Sequence, residues 1–120
     1  AASTLSQHAA LRAFDADNLE ILESRREAFR ERRDYLLPAL RELGFDIPVT
    51  PAGAFYLYAD CSRFTADSYV FSQRLLEEAG VAITPGTDFG TFRPERHVRF
   101  AYTTSLENLR EGVRRLRDYL

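Results

Sequence analysis

Lysine is absent from this chain of 120 residues, so all 16 of its basic residues are arginine. A lysine amine is what proteins use to form a side-chain Schiff base with a carbonyl group, and its absence excludes that chemistry from these residues. Methionine is absent as well, the first position included. We therefore expect the chain to be a piece of a longer protein.

Cysteine and histidine are scarce, with Cys61, His8 and His97 as the full set. A single cysteine excludes an internal disulfide, and the three residues lack the spacing of zinc ligands. Cys61 follows an apolar stretch, where a small buried residue is a commoner role than a nucleophile. The sequence therefore predicts neither a metal site nor cysteine catalysis.

A net positive charge is lacking too, since 18 acidic residues face 16 basic ones. Without such a field, nucleic acid and anionic membranes are not predicted partners. No apolar run is long enough for a transmembrane helix, and the N-terminus lacks the pattern of a signal peptide. The cytoplasm is the predicted compartment.

Two helices are predicted in the first third of the chain. Thr4 and Gln7 have the spacing of a capping box ahead of a short apolar pattern. Asp17 and Glu20 form a second such pair and open a long amphipathic helix that ends at Gly44. Its polar face carries alternating acids and arginines, which is typical of a solvated surface.

Two further helices are predicted in the rest of the chain. Thr65 or Asp67 caps the first of them and Gly80 ends it, while Thr104 and Glu107 cap the last. The residues predicted to face inward from the first of these two helices are Val70, Phe71, Leu75 and Ala79.

Short strands are predicted at residues 45–49, 53–61, 81–84 and 97–105, each bounded by glycine, proline or a helix. Few strands interspersed with helices indicate an α/β or α+β fold, a small open sheet of three to four strands with helices packed on it. The length fits one domain over residues 1–120.

Arg99 is the one fixed charge of the last strand. A period of two places Val98, Phe100 and Tyr102 on one face and His97 and Arg99 on the other. Strand arginines most often face solvent. In a cleft, however, the planar guanidinium would bind a carboxylate through two hydrogen bonds, and both interpretations stay open on these grounds.

Three ordered motifs carry a family resemblance that covers about the whole chain. They are PAGAFYLYADCS, GVAITPGTDFG and HVRFAYTTSLENLREGVRRL. In this order and at these intervals they resemble the C-terminal small domain of class I/II aminotransferases, fold-type I enzymes that depend on pyridoxal phosphate. The resemblance implies that residues 1–14 and the start of the long helix connect to a large domain outside this chain.

The resemblance also implies roles for particular residues. Arg99 matches the arginine that binds the substrate α-carboxylate, while Gly53 and Phe55 match positions beside the substrate entrance. The loop around Gly86, Phe89 and Gly90 matches one that lines the cleft. The Schiff-base lysine and the phosphate-binding residues of the family belong to the large domain, so pyridoxal 5'-phosphate is expected to bind there.

The function implied is transfer of an amino group between an amino acid and a 2-oxo acid, with this chain inactive alone and the complete protein a homodimer. Two alternatives remain within the resemblance. One is the small domain of a C–S lyase or synthase of the same fold, which would also need Arg99. The other is an aminotransferase-like ligand sensor in a transcription regulator.

Overall fold

The computed structural model describes all 120 residues, which form two compact units, Ala1–Glu31 and Arg32–Leu120. The elements are α1 (Thr4–Arg12), α2 (Ala16–Leu43), β1 (Tyr56–Asp60), α3 (Ser68–Ala79), β2 (Thr84–Pro85), β3 (His97–Ala101) and α4 (Leu106–Tyr119). This combination of helices with one small open sheet confirms the predicted fold class. None of the helices has both the length and the apolar composition needed to span a bilayer.

The first unit comprises α1 and the first half of α2 and buries no side chain. Ser3 caps α1, its hydroxyl accepting the Ser6 N–H at 3.2 Å. The predicted cap, Thr4, is instead the first helical residue, because the hydroxyl one position earlier reaches the free N–H group. The large apolar side chains of this unit that lie exposed are Leu5, Leu11, Phe14, Leu19, Ile21 and Leu22.

The second half of α2 provides one wall of the core. Leu36 and Leu40 are buried, and the helix continues through Pro38, which lies on its exposed side. Gly44 ends the helix with a φ of 105°, and the Phe45 N–H returns to the carbonyl of Leu40 at 3.1 Å. That left-handed residue is the reason glycine is required there, so the predicted end of the helix is confirmed.

The sheet has three antiparallel strands in the order β1-β3-β2, so β3 lies in the centre. One face is sealed against the helices and consists of Leu57, Ala59, Val98 and Phe100, none more than 5% exposed. The opposite face carries Tyr56, Tyr58, His97 and Arg99. The predicted alternation along the last strand is therefore confirmed, and Arg99 lies on the open side of the sheet.

Helices α3 and α4 pack on the sealed side. Asp67 caps α3 by accepting two backbone N–H groups, and Gly80 ends it in the left-handed conformation, as predicted. Ser105 rather than Thr104 caps α4, its hydroxyl accepting the Asn108 N–H at 3.2 Å. The buried side chains of α4 are Leu109, Val113 and Leu116.

Three local predictions are wrong in detail. Residues 45–49 form no strand beyond a single bridge between Asp46 and Asp60, and the strand predicted at 81–84 is reduced to Thr84–Pro85. Val70 is 47% exposed. It lies off the buried stripe of α3 because helical spacing aligns Ser68, Phe71, Ser72 and Leu75 instead.

Candidate functional site

An open cavity of about 590 Å³ lies on the open face of the sheet, beneath the loop that leads into β3. Its walls are mainly aromatic, formed by Tyr56, Tyr58, Phe89, Phe92 and His97. Arg99 is the one lining residue with a permanent charge. The cavity therefore combines ring faces with a single cationic group.

The sheet topology fixes where Arg99 lies. Because β3 is the central strand, Arg99 has Tyr58 directly opposite on β1 and Thr84 directly opposite on β2. The Thr84 hydroxyl accepts a hydrogen bond from Nη2 of Arg99 at 3.3 Å. The arginine thus projects from the middle of the sheet, with one neighbouring strand on each side.

The Arg99 guanidinium lacks a carboxylate partner. No acidic side chain lies within 4 Å of it, and its Nε is buried without a hydrogen-bond partner. A half-buried cation in this state is costly, since an unpaired charged donor away from water loses its hydration without compensation. A carboxylate is the kind of group that satisfies such a donor.

Aromatic rings surround the guanidinium. Its central carbon lies 4.5 Å from the ring centre of Phe89 and 5.7 Å from that of Tyr56. The Tyr58 ring stacks on His97 at 5.0 Å and meets the edge of Phe89 at 6.3 Å. Burial raises the pKa of Tyr58, so its phenol is neutral at physiological pH and adds no competing anion.

Gly86 allows the loop to approach the sheet. A Cβ at this position would lie 2.7 Å from the carbonyl oxygen of His97 and 2.8 Å from the Tyr58 hydroxyl, and it would also meet the carbonyl of Pro94. The Phe89 N–H then closes a tight turn onto the carbonyl of Gly86 at 2.9 Å. Glycine is needed here for space, and the turn it permits places Phe89 above the sheet.

The structure brings together some of the predicted residues and not others. Arg99 lines the cavity, as do Phe89 and Gly90 of the loop, whereas Gly53 and Phe55 do not. Phe55 is 44% exposed and contacts the ring of Tyr56 edge-on at 5.7 Å. The roles of Arg99, Gly53 and Phe55 in binding stay predictions.

Sequence reasoning missed Tyr56, Tyr58 and Thr84 as members of the site. The signal for the two tyrosines was present, because they alternate with Leu57 and Ala59 and so share the open face of β1. Thr84 had no comparable signal. Its position depends on the pairing of β2 with β3, which is set by tertiary structure.

Cys61 offers no competing chemistry. It is fully buried, its thiol donates to the carbonyl of Arg96 at 3.2 Å, and burial raises its pKa to about 11. A thiolate is therefore not available at neutral pH. No three histidine, cysteine or acidic side chains lie close enough together to hold a metal ion.

A second open cavity, of about 350 Å³, lies beside α4, and its charged groups are paired with each other. The charged groups of its wall, Glu111 and Arg115, bind each other at 2.8 Å. Two arginines hold the pKa of Glu111 at about 2, mainly through hydrogen bonds from Arg114 and Arg115. With its charges already paired, this cavity presents no unpaired charged group to a ligand, and the cavity at Arg99 is the stronger candidate.

Comparison with known proteins identifies one family. The family model described as aminotransferase class I and II matches residues 1–116. The probable N-acetyl-LL-diaminopimelate aminotransferase of Bacillus subtilis is 41% identical over 96% of this chain, and the aspartate/prephenate aminotransferase of Thermus thermophilus is 46% identical over 93%. Each match covers 28% of the relative, so the chain spans less than a third of the length of these curated relatives.

Solved structures give the same likeness at the level of the fold. An aminotransferase from Mycobacterium tuberculosis matches 97% of this chain with a TM-score of 0.90 and 39% identity, over 30% of its own length. The aspartate aminotransferase of Thermus thermophilus with maleate matches 98% with a TM-score of 0.85 and 43% identity, also over 30% of its length.

Proposed function

The chain belongs to the aminotransferase class I and II family, and we propose that it is the small domain that holds the substrate carboxylate in a pyridoxal-phosphate-dependent transaminase. The reaction is transfer of an amino group between an amino acid and a 2-oxo acid. The observation that carries the proposal is Arg99, a half-buried guanidinium that lines an open cavity and has no acidic partner. The ligand of one solved relative, maleate, is itself a dicarboxylate.

The contribution of this chain is to bind and orient. Arg99 donates two parallel N–H groups to the α-carboxylate, which fixes the direction of the substrate as well as its position. Thr84 and the rings of Tyr56 and Phe89 hold the guanidinium. Positioning of this kind speeds a reaction by removing rotational freedom from the bound substrate, without any bond to Arg99 being made or broken.

These residues do not form a pyridoxal phosphate site of their own. The chain has no lysine to attach the cofactor aldehyde, and Arg99 is the one permanent charge of the cavity. We therefore assign the cofactor to a large domain of the complete protein. That large domain, a second copy in a homodimer, and the amino acid and 2-oxo acid substrates are the proposed partners, and the cytoplasm stays the predicted compartment.

Replacement of Arg99 in the complete protein tests the proposal. For Arg99→Gln we expect KM for the amino acid donor to rise at least about 100-fold, since two charge-assisted hydrogen bonds of roughly 1.5–3 kcal/mol each are lost. Arg99→Lys should recover only part of the lost affinity. The ammonium keeps the positive charge but does not make the two parallel hydrogen bonds of a guanidinium. The measurement is steady-state kinetics across a panel of L-amino acids with 2-oxoglutarate as acceptor.

The matched control is Arg110→Gln. Arg110 also lies over a tyrosine ring, that of Tyr35 at 5.7 Å, but it is outside the cavity of Arg99. Equal kinetic effects of the two substitutions would contradict the proposal. Product analysis separates the reaction types, because transamination yields a 2-oxo acid with glutamate, whereas a lyase would release ammonia without consuming 2-oxoglutarate.

A further inference from the structure

Phe89 lies directly over the guanidinium of Arg99, with 4.5 Å between the ring centre and the guanidinium carbon. We propose that Phe89 is a positioning residue whose ring holds the Arg99 guanidinium in the orientation that receives the substrate carboxylate. The inference rests on the proposed function of Arg99. It adds a residue that acts through the arginine.

Few other contacts determine the orientation of Arg99. Its hydrogen bond to Thr84 is long, at 3.3 Å, and its Nε has no partner. Without Phe89, the arginine would be held by this hydrogen bond and by the more distant ring of Tyr56, at 5.7 Å. A side chain held so weakly would populate several rotamers, and a ligand would have to order it on binding. A ring face at short range restricts these rotamers, since a cation over an aromatic face is attracted by the ring quadrupole, most strongly where water is excluded.

The place of Phe89 in the structure agrees with this role better than with a role in the core. Its side chain is 46% exposed, and it meets the edge of Tyr58 at an angle of 89°. Neither Phe45 nor Phe100, which form the aromatic part of the core, is in ring contact with it. The ring of Phe89 therefore covers the cavity and the arginine, and contributes little to the sealed side of the sheet.

The backbone fixes this ring in place. Phe89 follows the turn that begins at Gly86, and its N–H donates to the Gly86 carbonyl at 2.9 Å. The turn lies so close to the sheet that a Cβ on Gly86 would collide with the carbonyl of His97 and the hydroxyl of Tyr58. Because this turn is closely packed, the ring of Phe89 can restrict the Arg99 guanidinium. A ring on a loosely held loop would move together with the guanidinium and would not restrict it.

Phe89→Leu in the complete protein tests the inference, because leucine keeps apolar bulk and removes the ring face. We expect KM for the amino acid donor to rise about fivefold, in line with the strength of a partly desolvated cation–π contact, while kcat changes less than about twofold. Phe89→Tyr keeps the ring and should retain the original KM. The matched control is Tyr35→Leu, which removes a ring from beneath Arg110, outside the cavity.

A binding measurement accompanies the kinetics. The probe is the unreactive acid that matches the preferred donor: succinate for an acidic donor, hydrocinnamate for an aromatic one, isovalerate for a branched one. Its competitive inhibition constant should rise in parallel with KM in Phe89→Leu, and the melting temperature should stay close to that of Tyr35→Leu.

An unchanged inhibition constant, or one that falls because the ring obstructs Arg99, would overturn the inference. If Arg99→Gln also left KM unchanged, the proposed function itself would fail, so the two failures are distinguishable.

Discussion

The two faces of strand β3 lie in opposite environments, although their residues alternate along the chain. Val98 and Phe100 point to the sealed side, where they are 0% and 5% exposed and Phe100 meets the ring of Phe45 at 5.0 Å. His97 and Arg99, each one residue away, line an open cavity. The period of two along a strand turns adjacent residues toward opposite environments.

The sealed face and the open face meet different physical requirements. The sealed face consists of apolar side chains that lose water on folding, which is the main favourable contribution to stability. The open face keeps a cation whose Nε is buried without a partner, an arrangement that lowers stability in the absence of ligand. Residues that reduce stability and persist beside a cavity are characteristic of binding sites. The contrast therefore separates the part of the strand that holds the fold from the part that we propose binds substrate.

Phe100→Ala, on the sealed face, is expected to have the largest effect on stability. Removing a buried phenylalanine leaves a cavity and should lower the free energy of unfolding by about 3–5 kcal/mol. Arg99→Ala, one residue earlier, should change it by less than about 1 kcal/mol, because the unpaired charge is removed together with its hydrogen bond to Thr84. Urea denaturation of both variants makes the measurement. Similar losses from the two substitutions would show that the faces are not energetically distinct.

The sequence predicts the sealed face well and the open face only in part. Alternation in HVRFAY is enough to place Val98, Phe100 and Tyr102 inside, and all three are at most 5% exposed. Glycine signals are equally local, so the helix ends at Gly44 and Gly80 are predicted correctly. In each case the physical cause lies within a few residues of the signal.

The surroundings of Arg99 depend on contacts between distant parts of the chain. Thr84 reaches it because β2 pairs with β3, and Phe89 covers it because the turn at Gly86 fits against the sheet. Neither fact follows from periodicity. Phe55, assigned from family resemblance, lies outside the cavity, since β1 begins one residue later and its open-face positions are the tyrosines.

A smaller effect is expected from Gly86→Ala, which tests how the open face is built. The added Cβ would meet backbone oxygen atoms and the Tyr58 hydroxyl, so the loop must shift away from the sheet. We expect the free energy of unfolding to fall by about 1–3 kcal/mol. KM for the amino acid donor should rise by about tenfold, because the displaced loop moves Phe89 away from Arg99 and weakens carboxylate binding.

Gly112→Ala is the control for the glycine substitution. Gly112 lies within α4, and a Cβ there meets no atom within 4 Å. Alanine should raise the free energy of unfolding by about 0.5–1 kcal/mol through its better helix propensity and leave KM unchanged. If Gly86→Ala were as harmless as this control, the close approach of the loop would not matter for the site.

The smallest effect is expected from Cys61→Ala, on the pH dependence of stability. Cys61 extends the sealed face beyond β1, and its thiol is protonated at neutral pH. Burial raises the pKa of its thiol from 9.0 to about 11. The protonated thiol therefore contributes stability that is fully present below pH 9 and is lost as the pH rises through about 11. The melting temperature of the unaltered protein should consequently fall more steeply over this range than that of Cys61→Ala. Tyr102 also has a raised pKa, but it titrates in both proteins and cancels in the difference. Besides burial, the Cys61 thiolate is a secondary cause of the raised pKa of Tyr58, so Tyr58 adds to the difference in the same direction. Parallel curves would mean that water reaches the thiol, and that the sealed face ends before Cys61.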